Sequence, residues 1–169
     1  FNSGGSVVIA EDSATVLSGT STAGSLDLDS TASITDDGTA DLTVTGNADL
    51  AATSIALDDT FGFGSLTFNS AGAVSISEAG ATTLSGTNTA SSLDLDSTAG
   101  ITNAASASLT VTNNADLNGT SIALGVTTSD AMNFGSLTVN SAGAVVIAED
   151  SATVLSGTST ADSLDLDST

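Results

Sequence analysis

The chain has 169 residues and a net charge of −20, because it contains 20 Asp and Glu residues but no Lys, Arg or His. Cys is absent too, so Ser-His-Asp and Cys-His pairs cannot be built, and zinc, haem and iron–sulfur sites lose their usual ligands. Without a basic side chain, binding to nucleic acid or to anionic lipid is electrostatically opposed. Apolar runs are too short for a membrane span. We therefore expect no enzyme activity, no nucleic-acid partner and no membrane insertion.

The chain consists of internal repeats. Residues 1–31 and 139–169 agree at 27 of 31 positions, and residues 68–98 agree with 1–31 at 22 positions. The offsets between these copies are 67 and then 71 residues, with the difference confined to one stretch that we expect to be a surface loop. Self-similarity of this kind is typical of solenoids. We predict superrepeats at about 1–67, 68–138 and, incompletely, 139–169, in one continuous segment 1–169 excerpted from a longer array.

Short apolar–polar–apolar motifs recur along the chain in the two-residue period of a strand with one buried face. They are Leu26-Asp27-Leu28, Leu42-Thr43-Val44, Leu66-Thr67-Phe68, Leu93-Asp94-Leu95, Leu109-Thr110-Val111, Leu137-Thr138-Val139 and Leu164-Asp165-Leu166. A second aliphatic residue follows each leading Leu after eight positions wherever the spacing can be tested. Polar pairs typical of turns, such as Asn69-Ser70, separate these strands.

The strand pattern predicts an all-β fold, a parallel β-helix (β-solenoid) with three short strands per coil. The leading Leu residues lie 23 residues apart on average, so we expect about 7 coils and a superrepeat of three coils. Right-handed coiling is the default for parallel crossovers. The alternatives are a disordered acidic chain and a β-sandwich. The regular aliphatic spacing opposes the first, and the scarcity of Asn-Gly and Asp-Gly hairpin signals opposes the second.

Paired carboxylates are the candidate metal ligands of this sequence. The Leu-Asp-Leu-Asp motif points two Asp side chains outward, about 7 Å apart along the strand. Oxygen ligands of this kind suit Ca²⁺, so calcium is a candidate ligand although none is required. The candidate residues are Asp27, Asp29, Asp94, Asp96, Asp165 and Asp167.

The competing interpretation is that these carboxylates form a solvated face that keeps a fibre soluble. With Thr residues expected on the neighbouring coils, the Asp pairs should recur every third coil, about 14 Å apart. The acidic pairs Asp36-Asp37, Asp58-Asp59 and Glu149-Asp150 fall at predicted turns and take the same interpretation.

Two further functions need weighing. Outward threonine pairs, here Thr43/Thr45 and Thr110/Thr112, occur in ice-binding solenoids, but neighbouring motifs interrupt the pattern. Some β-solenoids cleave polysaccharides with Asp as acid and base. Their sites also need cations to hold acidic sugars, and this sequence has no basic side chain.

The segments LTVTGNADL, SIAL, FGSLTFNSAGAVSI and SLDLDSTA resemble the repeats of very large bacterial cell-surface proteins with filamentous-haemagglutinin-type β-helix repeats. The resemblance covers the whole chain and implies a secreted, rod-forming, adhesive or surface-fibre protein at the bacterial cell surface. The sequence departs from that pattern in lacking basic residues.

We therefore expect a structural extracellular filament that acts as a stiff spacer, sheath or matrix element. The alternative is a calcium-dependent adhesin stalk that presents a binding tip, with an ice-binding solenoid as a more remote one. The expected partners are the chain itself, by end-to-end continuation or lateral association, and divalent cations. We expect the polypeptide to continue, with residues like Ala32-Ser33-Ile34-Thr35 following Thr169, and short subunits that polymerise end to end are the other option.

Overall fold

A computed structural model describes all residues from 1 to 169 and contains 17 β-strands and no α-helix. No segment therefore forms a helix long and apolar enough to cross a membrane. The strands are β1 (Ser6–Glu11), β2 (Thr15–Leu17), β3 (Thr20–Ala23), β4 (Ser25–Ser30), β5 (Ser33–Asp36), β6 (Asp41–Ala52), β7 (Ser54–Ser70), β8 (Ala73–Glu78), β9 (Thr82–Leu84), β10 (Thr87–Ala90), β11 (Ser92–Ser97), β12 (Gly100–Asn103), β13 (Ser108–Gly119), β14 (Ser121–Leu124), β15 (Ala131–Ser141), β16 (Ala144–Glu149) and β17 (Ser163–Ser168).

All the strands join one parallel sheet that winds into a β-solenoid, which confirms the predicted fold class. Paired residues lie 17 to 23 positions apart in the chain, from Phe61 with Glu78 at the short end to Ile122 with Val145 at the long end. The 169 residues therefore make between eight and nine turns of about 20 residues. The expected number of about seven was too low, because the leading Leu residues do not mark successive turns.

The long strands bend through corners of the coil and contain more than one pairing segment. In β6, for example, residues 41–44 pair with residues 60–63 and residues 47–52 pair with residues 65–70, with a register shift between Val44 and Asn47. Counted in this way, the first superrepeat has ten segments. They are 6–11, 15–17, 20–23, 25–30, 33–36, 41–44, 47–52, 54–57, 60–63 and 65–70.

Nine of these ten segments pair with the third segment after them, which gives three segments per turn. Ten segments at three per turn make three and one-third turns, so the prediction of a three-coil superrepeat was wrong. Each superrepeat is consequently rotated by one face relative to the last. The leading Leu residues of different motifs lie on different faces of the coil, so the distances between them do not measure the length of a turn.

Burial alternates along each segment, as the two-residue period requires. In β4, Leu26 and Leu28 are buried while Asp27 and Asp29 face solvent. Leu28, Leu50 and Phe68 stack in one inward column on successive turns. Each fully buried aliphatic or aromatic side chain contributes roughly 1.5–3 kcal/mol to folding. The solenoid is therefore held by columns of apolar side chains inside its backbone ladders.

Two local features shape the corners. Gly86 and Gly157 occupy the same corner of consecutive superrepeats with φ of 62° and 65°, a left-handed conformation that favours glycine. The extra residues of the second superrepeat form the irregular connection between β14 and β15, around Val126, which confirms the predicted surface loop. The corresponding part of the first superrepeat continues as strand in β7.

Candidate functional site

The predicted outward carboxylates of β4 meet a third carboxylate from the next turn. Asp27 lies directly opposite Asp49 in the parallel ladder, and Asp29 stands two positions further along β4 on the same face. Neighbouring turns are about 4.8 Å apart. The ladder therefore places three Asp side chains on one face of two neighbouring turns, in a chain that has no basic side chain to pair with them. We call Asp27, Asp29 and Asp49 the first acidic cluster.

The same arrangement recurs in the second superrepeat, where Asp94 lies opposite Asp116 and Asp96 follows on the same face. We call these three residues the second acidic cluster. Asp49 and Asp116 were not among the predicted ligands, because the sequence analysis expected Thr on the coils next to the Asp motif. The signal was available in the Asn-Ala-Asp-Leu segments, which follow the first two Leu-Asp-Leu-Asp motifs at the same distance.

Asp165 and Asp167, the third predicted pair, lie on β17 in the last turn. Their neighbours in β16 are Val146 and Ala148, just as Asp27 and Asp29 lie opposite Val8 and Ala10 of β1. The three Asp motifs also lie on three different faces of the coil, since ten segments separate each motif from the next. The expectation of one Asp stripe with a repeat of about 14 Å was therefore wrong.

Burial, with a contribution from like charges, raises the pKa of some of the carboxylates in these clusters. Burial, followed by the charges of Asp27 and Asp29, raises the pKa of Asp49. Burial likewise raises the pKa of Asp94, with the charges of Asp96 and Asp116 adding to it. A carboxylate with a raised pKa binds a proton more readily than an isolated one. The six Asp side chains of the two clusters offer oxygen ligands, the type that Ca²⁺ prefers.

Another acidic group consists of Asp side chains that were predicted to lie at tight turns of the chain and that come from successive coils of the solenoid. Carboxylate oxygens of Asp36, Asp58 and Asp59 lie within 4.8 Å of one another. Asp36 accepts the N–H groups of Asp58 and Gly38 at 2.8 and 3.2 Å, and these bonds lower its pKa although burial acts in the opposite direction.

Asp59 likewise accepts the N–H of Ala40 at 2.8 Å. In the second superrepeat, Asn103 takes the place of Asp36 and accepts the N–H of Gly125 at 2.9 Å. A neutral amide performs the same task there, so the side chain at this position holds the backbone corner by hydrogen bonding.

Two glutamates take the place of a ladder strand inside the coil. The prediction that Glu149 lies at a solvated turn was therefore wrong, because it ends β16 with its side chain buried. Glu78 and Glu149 are only 3% and 2% exposed. Glu78 Oε1 accepts the N–H of Phe63 at 2.8 Å, and Glu149 Oε1 accepts the N–H of Phe134 at 2.9 Å. The carboxylates satisfy backbone donors where the chain leaves the regular register. These two side chains therefore support the fold.

The threonine pairs do not form an extended array. Thr43 lies between Thr22 and Gly62 in the ladder, and Thr110 lies between Thr89 and Asn133. Each outward threonine column therefore ends after two members.

A family model described as repeats of unknown function (DUF5649) matches residues 4–67, which is the first superrepeat almost in full. No curated protein and no solved structure matches the chain significantly. The chain is thus similar to a repeat family over its first superrepeat, in agreement with the repeats of the fold.

Proposed function

We propose that this chain is a stiff structural segment of an extracellular filament or bacterial surface fibre, acting as a spacer, sheath or matrix element. The observation that carries the proposal is the rotation of each superrepeat by one face. Because Asp27, Asp94 and Asp165 lie on different faces, the rod carries similar acidic surfaces all round. A protein that recognised a ligand would instead concentrate its chemistry on one face.

The packing supports a mechanical role. One buried apolar core runs the length of the coil, and every strand is hydrogen-bonded to a neighbouring turn. Bending the rod would open backbone bonds and apolar contacts together. Eight turns at about 4.8 Å extend roughly 40 Å, so longer arrays of the same repeat make long spacers.

The acidic surface keeps rods of this kind apart unless cations lie between them. A charge of −20 without any basic side chain makes bare rods repel one another, which suppresses sheet-to-sheet aggregation. The resemblance to filamentous-haemagglutinin-type repeats points in the same direction. Divalent cations would allow lateral association by screening and bridging the Asp residues on all three faces.

Diffraction from aligned filaments, combined with immunogold labelling of the producing cells, tests this proposal. We expect a meridional spacing near 4.8 Å and gold particles on extracellular fibres. Labelling confined to the cytosol would contradict the extracellular role. Diffraction without that axial spacing would contradict the rod itself.

The second candidate function is a calcium-dependent adhesin stalk, and the two acidic clusters are the observation that favours it. Calcium should raise the melting temperature of the wild-type chain more than that of an Asp49→Asn, Asp116→Asn double variant. The matched control is Asp41→Asn with Asp162→Asn, which removes the same charge from exposed positions outside the clusters. Equal calcium shifts in all three proteins would exclude ordered calcium and leave only general screening.

A further inference from the structure

The corner between β8 and β9 holds two buried oxygen atoms that no group of the chain satisfies. Glu78 ends β8 at 3% exposure, and Thr82 begins β9 with its side chain fully buried. Glu78 Oε1 accepts the N–H of Phe63 at 2.8 Å, whereas Glu78 Oε2 and Thr82 Oγ1 have no hydrogen-bond partner. Native proteins rarely leave buried polar atoms unbonded, because such atoms have lost their contacts with water and gained nothing in return.

The two oxygen atoms belong to one small region inside the coil. Burial raises the pKa of Glu78, and the hydroxyl group of Thr82 acts on the same carboxyl in the opposite direction, as a neighbouring polar group does. Strands β7 and β11 pair with β8 on its two sides, so this corner lies between turns of the solenoid. A single small molecule placed here can therefore reach both oxygens.

The equivalent corner of the third superrepeat shows what occupies this place elsewhere in the chain. There the buried Glu149 accepts hydrogen bonds from Ser151 Oγ at 2.9 Å and from Thr153 Oγ1 at 2.6 Å. Gly80 stands at the position of Ser151 in the second superrepeat. A Cβ atom added to Gly80 would meet no heavy atom within 4 Å. The glycine therefore leaves room beside Glu78 that a serine side chain takes up beside Glu149.

We propose that Glu78 and Thr82 bind one water molecule in the room that Gly80 leaves. The water donates a hydrogen bond to Glu78 Oε2 and accepts one from Thr82 Oγ1, so that both atoms gain a partner. Buried waters are normally held by about two to four polar groups, and this corner supplies two.

The same count of free atoms opposes a metal ion at this corner. Ca²⁺ takes about six to eight oxygen ligands. Only Glu78 Oε2 and Thr82 Oγ1 are unbonded here, and both are enclosed by the coil. The water site is part of the interior of the coil and does not depend on the filament function proposed above.

High-resolution crystal structures of the wild type and of two variants test the proposal. In the wild type we expect one ordered water within about 2.5–3.0 Å of both Glu78 Oε2 and Thr82 Oγ1. Gly80→Ser should lose this water, because the serine side chain fills its place. The substitution introduces the residue that the chain already has at Ser151, so the variant should fold. Ala79→Ser is the matched control, since it adds the same hydroxyl at an exposed neighbouring position and should keep the water.

Proton NMR in solution gives a second readout. A long-lived buried water should give NOE and ROE cross-peaks of opposite sign with the Thr82 methyl group in the wild type and in Ala79→Ser. These cross-peaks should be lost in Gly80→Ser. Because all three proteins keep the Thr82 hydroxyl, exchange of its proton with solvent cannot account for such a difference.

Two results would overturn the proposal. One is a wild-type crystal structure in which Thr82 Oγ1 bonds directly to Glu78 Oε2 with no water between them, because the two groups would then satisfy each other. The other is the same water at the same place in Gly80→Ser, because the glycine would then have no part in forming the site.

Discussion

Ser85 donates a hydrogen bond to Asn47 Oδ1 over 2.7 Å, although 38 residues separate them. Ser85 lies two turns after Asn47. On the turn between them, Ser65 and Thr67 also donate hydrogen bonds to the same oxygen. The second superrepeat repeats this network, with Ser156 donating to Asn114 Oδ1 over 2.6 Å. One amide therefore joins three successive turns at the same point of each superrepeat.

Removing this amide should weaken the rod. In Asn47→Ala, several hydroxyl groups lose their shared acceptor, and we expect the free energy of unfolding to fall by about 1–2 kcal/mol. Urea unfolding measures the change. Asn113→Ala is the control, since its exposed side chain makes no hydrogen bond in the structure and should cost much less. Equal losses in the two variants would show that the network is not stabilising.

The buried glutamates should respond differently to the same substitution. Glu78 Oε2 and Thr82 Oγ1 are buried without a hydrogen-bond partner, and burial raises the pKa of Glu78. Glu78→Gln keeps the acceptor for Phe63 and removes a buried charge. We therefore expect an increase of about 1–3 kcal/mol in unfolding free energy at pH 7.

Glu149→Gln is the matched control for that variant. Glu149 already accepts hydrogen bonds from Ser151 and Thr153 at 2.9 and 2.6 Å, so its charged form is better satisfied. Gly80 stands where Ser151 would provide the first of these bonds for Glu78. Gly80→Ser should consequently stabilise the chain as well. A larger gain from Glu149→Gln than from Glu78→Gln would contradict this account.

Stability should decrease as pH rises from 4 to 7. The pKa values of Asp49, Asp94, Asp116 and Glu78 are raised, mainly by burial, above the ordinary values of 3.8 for Asp and 4.5 for Glu. A raised native-state pKa contributes stability that is complete below the unfolded-state pKa and is lost as pH rises through the native-state pKa.

Two other carboxylates act in the opposite direction. The pKa values of Asp36 and Asp130 are lowered by hydrogen bonds that outweigh burial, so their contribution is lost as pH falls through the native-state pKa. The raised groups are more numerous, and we expect a higher melting temperature near pH 4 than at pH 7. Calorimetry of the wild type and of Asp49→Asn, Asp116→Asn checks this, because the double variant should show a smaller pH dependence. A wild-type melting temperature that is higher at pH 7 would contradict the prediction.

Truncating an apolar side chain should cost more stability in the buried core than in the partly exposed strand β17. Leu50→Ala removes a fully buried side chain from the column with Leu28 and Phe68, and we expect a loss of about 2–5 kcal/mol. Leu164→Ala removes the same atoms from a side chain that is nearly half exposed, and we expect a loss below about 1 kcal/mol. Chemical unfolding compares the two, and similar losses would mean that the edge around Leu164 is already covered in solution.

Much of the candidate site could be read from the sequence, but its partners could not. The outward direction of Asp27 and Asp29 follows from alternation with Leu26 and Leu28, which is a local property of a strand. The meeting of Asp27 with Asp49 depends instead on how many residues the intervening corners hold. Glu149 shows the same limit, because its sequence context predicts a turn, whereas the fold buries its side chain inside the coil.

The sequence by itself determined the parallel all-β solenoid, the 67- and 71-residue superrepeats and the outward carboxylates, because these depend on two-residue alternation and on self-similarity. Only the tertiary structure decided the turn of about 20 residues, the rotation of each superrepeat by one face and the acidic clusters. The physical reason is that the length of a turn is set where the chain bends. The packing of neighbouring turns determines which residues lie at the corners and where the register shifts. The apolar periodicity of the sequence does not indicate these positions.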